Sequence, residues 1–419
     1  MKYNTYTLPC GLRVIHLPSN SPVVYCGYEI AAGTRDEEKG DEGLAHFCEH
    51  VSFKGTRHRS AWNILNCLES VGGDLNAYTN KEDTVYYAAI LKEHVDRAVD
   101  LLSDIVFQST FPQTEIDKEV KVICDEIESY NDSPAELIYD DFENILFEGH
   151  PLGHNILGNA ERVCRFTTED AMRFTRKNYR PENMIFFAYG DVDFKKLIKK
   201  LEKIEIPDNA SIKGDSETST HTCSAPVIEK IYKNIGGSTI IRDKNTHQAH
   251  VMIGSRAYNA YDDEHRMPLY LLNNILGGMG MNAIFNVQLR EKRGLVYTVD
   301  SSMVSYGDTG MWCTYFGCDQ EDVKKCLRII RRYMDKMMQT PLTERQLNAA
   351  KKQLKGQIGV SCDNRENFAL DFGKSFLHGG KEKDILNLYR KIDAIKPENM
   401  QKVAQEIFDP QRTTTLIYK

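Results

Sequence analysis

Pro112-Gln113-Thr114-Glu115 opens one helical segment, and Pro341-Leu342-Thr343-Glu344 opens another 229 positions later. Tyr179-Arg180-Pro181 closes a helical stretch before the apolar run ENMIFFAYG. Phe408-Asp409-Pro410 does the same before RTTTLIY, at the same spacing. Asp83-Thr84 and Asp308-Thr309 each precede a strand-like run, VYYAAIL and GMWCTYF, and an amphipathic helix follows both, near EHVDRAVDLLSDI and EDVKKCLRIIRRYM. Matches in one order at nearly one offset argue for a duplication. Whatever one half folds into, the other must fold into as well.

At 419 residues the chain can hold two or three domains, each with its own core. The copies meet at residues 206–227, IPDNASIKGDSETSTHTCSAPV, a polar stretch that reads as a linker. The expected domains are therefore 1–205 and 228–419. Each half mixes hairpin-like strands with helices, and strict strand–helix alternation fails around residues 12–32. The fold class expected is α+β: two homologous domains, each a largely antiparallel sheet packed with helices. A net charge of −7 without a dense basic block excludes general attraction to nucleic acid or to an anionic membrane surface. No apolar run approaches the ~20 residues of a membrane helix, and MKYNTYTLPCGLRVIHLPSN lacks the apolar core of a signal peptide. The 11 cysteines are scattered and odd in number, with no CxxC unit, which suits reduced thiols in a cytoplasm.

Within this frame HFCEH, residues 46–50, stands out. Gly43 to Lys54 reads as a helix stopped by Gly55. On it His46 and His50 project from one face, one turn apart, with Glu49 beside the second. Taken alone, these residues fit a metal site and a buried helix with two hydrogen-bonded histidines about equally. Further on, TEIDKEVKVICDEIESYND reads as an amphipathic helix with Ile116, Val120, Ile123 and Ile127 inward. Glu119 and Glu126 share a face of it. Alone, the two carboxylates read best as a solvated helix edge; buried, they would need a counter-charge. Comparing the copies shifts the balance. Glu119 aligns with Asn348 and Glu126 with Lys355, while the two histidines align with positions between Leu271 and Met279. One copy holds every potential ligand and the other none, as expected of groups kept for chemistry rather than for the fold.

GLAHFCEHVSFKGT, the distal EVKVICDEIE with Glu126 76 positions after His50, GGDLNAYTNKEDTVYYA (72–88), HPLGHNILG (150–158) and LGGMGMNAIFNVQLREKRGLVYTV (276–299) together resemble the pitrilysin/insulinase family of zinc metallopeptidases, to which mitochondrial processing peptidase belongs. The resemblance spans nearly the whole chain, and its size is that of the short two-domain bacterial members. It implies one zinc ion per chain held by His46, His50 and Glu126, with Glu49 as the catalytic base and Glu119 as an outer carboxylate that orients the site. It implies that Tyr297 donates to the developing oxyanion and that Arg290 holds a peptide carbonyl; without the family, the two read as a strand aromatic and a surface charge. It further implies a clam-shell homodimer around a closed chamber that admits short unfolded peptides. The strand around Asn76 and Ala77 is expected to take substrate by main-chain pairing, or else is an ordinary edge strand. Cys48 points away from the histidine pair and reads as core. The spaced pairs His150/His154 and His247/His250 read as structural, and Gly277, Gly278 and Gly280 as a helix end and turn. The alternative from another class is a noncatalytic, peptide-binding or regulatory subunit of a heteromeric peptidase.

Overall fold

The computed structural model describes residues 2–206 and 237–419. The linker expected over 206–227 lies, beyond its first residue, outside the described residues. The N-terminal half supplies β1 (Asn4–Thr7), β2 (Arg13–Pro18), β3 (Val23–Ile30), β4 (Asp74–Thr79), β5 (Thr84–Leu91) and β6 (Met184–Gly190), which pair in the order β1-β2-β6-β3-β5-β4. The β2/β6 pair is parallel and the other neighbours are antiparallel. The C-terminal half supplies β7 (Thr239–Arg242), β8 (Ala249–Ala257), β9 (Val296–Ser305), β10 (Gly310–Cys318) and β11 (Thr414–Tyr418), paired β7-β11-β8-β10-β9. Here β7/β11 is the parallel pair. Without β1, the two sheets share one strand order and one parallel pair. The repeat legible in the sequence is thus a repeat of sheet topology, and the fold is α+β with two duplicated, largely antiparallel sheets packed with helices.

The first half also carries α1 (Leu44–Ser52), α2 (Ala61–Glu69), α3 (Val95–Gln108), α4 (Gln113–Asn131) and α5 (Pro134–Leu146). The chain forms two compact units that do not follow its linear halves. The first comprises Met1–Glu128, the chain from His154 up to the undescribed segment, and Cys362–Asp384. The second comprises Ser129–Gly153, the chain from residue 237 to Ser361, and Ile385–Lys419. Each sheet therefore borrows a helix: Arg365–Gly379 packs on β3 and β6 of the first, and α5 on β8 and β11 of the second.

This borrowing explains why the central strands are apolar on both faces. In β3, Val24, Cys26, Tyr28 and Ile30 join the core beneath α3, where the Tyr28 hydroxyl meets Ser103 Oγ at 2.8 Å. The alternate residues face the borrowed helix: the Arg365 guanidinium lies 5.7 Å from the Tyr25 ring centroid, and Gly373 sits against the Glu29 carboxyl. A strand reads in this way when helices cover both its faces. At the start of the sheet a turn at Pro9-Cys10-Gly11 joins β1 to β2, with Gly11 at φ 93°. No helix among the described residues is long and apolar enough to cross a membrane.

Candidate metal centre and active site

The helix that carries the two histidines is shorter than its sequence suggests. It runs Leu44–Ser52 rather than Gly43–Lys54, and Gly55 instead makes an isolated bridge to Ser60. Gly43 is the N-cap, at φ 99°. A Cβ there would lie 2.8 Å from Leu157 O and 2.9 Å from Gly158 Cα, so only glycine lets the 150–158 segment close against the start of α1. No side chain of the cap itself serves the first turn. The buried Glu37 carboxylate does so, accepting from Gly43 N at 3.0 Å and Ala45 N at 2.7 Å, and His154 Nε2 holds it at 3.0 Å. His154 is structural, as expected, and so is His150, which faces Asp308 at 3.2 Å. His250 likewise bonds the Tyr315 hydroxyl at 2.8 Å. Cys48 is fully buried in the core.

Helical spacing puts His46 and His50 on one face, with ring centroids 4.6 Å apart. Packing then brings α4 across them. His50 Nε2 lies 3.3 Å from Glu126 Oε2, and His46 Nε2 lies 3.8 Å from Glu126 Oε1. One ligand atom from each of the three residues falls within 4.8 Å of the others, and this is the one group of three or more potential ligands found among the described residues. Glu119, two turns back on the same face of α4, is 7% exposed. It accepts from His50 Nδ1 at 3.0 Å and pairs with Lys54 Nζ at 2.6 Å. The orienting role and the ion-pair role are thus both occupied by one carboxylate. With Nδ1 committed to Glu119, it is His50 Nε2 that faces Glu126.

The electrostatics follow from burial and pairing. Burial, then the neighbouring His50, pulls the His46 imidazole down to about 4. Burial opposes charge on His50 too, but hydrogen bonds to Glu119 and Glu126 outweigh it and hold the ring up at about 9. The His50 hydrogen bond is the main cause that keeps Glu126 below the ordinary carboxylate range. Glu49 is raised by burial, against a hydrogen bond from Thr79 that pulls the other way. That bond, Thr79 Oγ1 to Glu49 Oε2 at 2.6 Å, ties the glutamate to the end of β4.

β4 is the outer strand of its sheet. Asn76 is exposed and Ala77 partly exposed on it, opposite Tyr87 and Tyr86 of β5. Arg290 and Tyr297 belong to the second unit. Arg290 lies in a π-helical turn (Asn286–Glu291), Tyr297 is 82% exposed near the start of the edge strand β9, and the guanidinium sits 5.9 Å from the ring centroid. Thr79, Lys54 and Glu37 were not singled out by sequence. Lys54 could have been, since it sits one helical turn after His50. Thr79 and Glu37 carry no such signal, because their partners meet them only through packing.

Residues 13–160 match the family described as Insulinase (Peptidase family M16), and residues 165–354 match one described as Peptidase M16 inactive domain. The chain belongs to the insulinase family, M16. An uncharacterized zinc protease of Streptomyces coelicolor is 31% identical over 413 residues, covering 98% of this chain and 88% of that protein. The uncharacterized zinc protease YmxG of Bacillus subtilis is 31% identical over 418 residues, covering 98% and 97%. Among solved structures, a protease from Helicobacter pylori superposes with a TM-score of 0.88 at 21% identity, over 100% of this chain and 99% of that one. A structure titled as a peptidase M16 inactive domain from Pseudomonas fluorescens reaches 0.86 at 18% identity, over 100% and 98%. At those identities the likeness is one of fold. The Streptomyces and Bacillus relatives are named as zinc proteases, and the donor set suits that metal: two imidazole nitrogens and one carboxylate oxygen already converge, with the outer nitrogen of His50 held by Glu119 and that of His46 buried without a hydrogen-bond partner.

Proposed function

We propose that the chain is a zinc-dependent endopeptidase that hydrolyses short unfolded peptides, as a cytoplasmic homodimer enclosing a chamber. One observation carries the reading: the convergence of His46, His50 and Glu126 beside a partly buried Glu49 that is fastened to an open sheet edge. The chamber and the dimer rest on the resemblance to the short bacterial members of the family, and the cytoplasmic setting on the cysteine usage.

His46, His50 and Glu126 would hold the zinc, leaving a coordination position open. Bound there, zinc supplies Lewis acidity, polarising a carbonyl and lowering the pKa of water. Glu119 keeps the His50 ring oriented, and Lys54 keeps Glu119 in place. Thr79 occupies Glu49 Oε2, so Oε1 is the oxygen that takes a proton from the attacking water and returns it to the leaving nitrogen. Burial, by raising Glu49, strengthens it as a base and helps it hold that proton between the two transfers. Asn76 and Ala77 on β4 would align the substrate backbone by strand addition, which demands little of its sequence. Tyr297 would donate to the oxyanion and Arg290 would hold a substrate carbonyl. Those two roles rest on the family resemblance and on the exposure of both side chains.

The test is Glu49→Gln, assayed by cleavage of a diverse peptide library with metal analysis on the same sample. Zinc content is expected to match wild type while cleavage is lost. A wild-type protein that holds zinc, stays folded and cuts no peptide would instead favour the noncatalytic peptide-binding subunit.

A further inference from the structure

Two thiols outside the chemistry described above lie in contact. Cys124 Sγ on α4 is 3.6 Å from Cys164 Sγ. Cys164 is exposed, at the end of the short helix Ala160–Val163, and Cys124 is partly exposed. The setting differs from that of Cys318 and Cys326, which also interact with each other but are both buried away from reagents. A disulfide needs its sulfurs about 2.05 Å apart, so the two sulfurs must close by about 1.5 Å for the present contact to become a bond.

We propose that Cys124 and Cys164 form a reversible oxidation site, closed by a small-molecule disulfide such as oxidised glutathione. Cys164, the more accessible, gives up its proton and attacks one glutathione sulfur. The glutathione S–S bond breaks, and one glutathione leaves as a thiolate that takes up a proton. Cys124, deprotonated in turn, attacks the Cys164 sulfur of the mixed disulfide and expels the second glutathione, which is protonated likewise. The two cysteines lose two protons and two electrons, and one glutathione disulfide takes them up to become two thiols. The bridge would close a loop between positions 40 residues apart, and fasten α4, the helix carrying Glu119 and Glu126, to the residue after the short helix. Closing such a loop restricts the unfolded chain, so the oxidised protein is expected to melt at a higher temperature than the reduced one.

The experiment treats the full zinc-loaded chain with oxidised glutathione, followed by intact mass and a non-reducing peptide map. The expected product is lighter by two hydrogens, contains a peptide pair joining Cys124 to Cys164, and reverts with dithiothreitol. Cys164→Ser should abolish the pair. Stable glutathione adducts without the cross-link, or cross-links from either cysteine to a different partner, would overturn the proposal. The wild-type peptide map decides alone if the variant fails to fold. Because mass is the readout, the result is independent of whether the endopeptidase reading holds.

Discussion

Glu119 is the residue on which two functions meet. It orients His50 and also neutralises Lys54, so a substitution separates the roles by what it changes. Glu119→Ala removes the acceptor of His50 Nδ1–H, and losing such an outer partner typically weakens metal binding about 10- to 100-fold. A chelator competition titration on the folded variant reads this directly; unchanged zinc affinity would reduce Glu119 to an ion-pair residue. Thr79 offers the complementary case. It touches no potential ligand, only Glu49. A hydrogen bond to a charged group contributes about 1.5–3 kcal/mol. Thr79→Val is therefore expected to lower kcat/KM by about 10- to 100-fold with zinc content unchanged. Equal losses of zinc and activity would place the effect on the metal instead.

At the scale of elements, the borrowed helix Arg365–Gly379 meets the first sheet over an unusual pair of acids. Asp83 is held below the ordinary carboxylate range: burial alone would raise it, but His378 and Lys374 of that helix outweigh burial. Glu29, next to the end of β3, has a buried Oε1 without a hydrogen-bond partner, and burial, then the nearby Asp83, drives it well above the usual value. The two contribute to stability with opposite sign. Asp83 contributes stability above the unfolded value near pH 4, lost as pH falls through its lowered native value. Glu29 binds a proton in the native state that the unfolded chain releases, so its cost to stability grows from about pH 4.3 upward and stays constant once its raised native value is passed. Glu29→Gln keeps the shape and removes the charge. Its thermal midpoint is expected to rise relative to wild type with increasing pH and then level off; parallel profiles from pH 5 to 9 would contradict the ionisation argument. Gly373 belongs to the same contact, because a Cβ there would lie 2.5 Å from Glu29 Oε1.

At the scale of the molecule, duplication separated structure from chemistry. Both sheets keep the same strand order and parallel pair, while the one candidate ligand cluster among the described residues lies in the first unit. The Arg290/Tyr297 pair lies in the second. One chain thus carries both sets, which suits an assembly of identical copies. The proposed homodimer is expected to sediment at twice the 47.9 kDa chain mass, and a monomer that cleaves peptides at full rate would remove the need for the enclosing pair.

Periodicity, the repeat at 225 to 229 positions and the H-x-x-E-H spacing were local or self-referential signals, so the sequence alone determined the fold class, the doubled sheet and the shared face of His46 and His50. Glu126 was reachable through the family resemblance, as the glutamate 76 positions after His50. Other features depended on contacts between segments far apart in the chain, which no periodic pattern records. Only tertiary packing decided that α4 crosses α1 closely enough for Glu126 to meet both rings, that Thr79 fastens Glu49, and that Glu37 serves the start of α1. The exchange of helices between the units was hidden for the same reason: an amphipathic helix states that one face must be buried, but not which sheet will bury it.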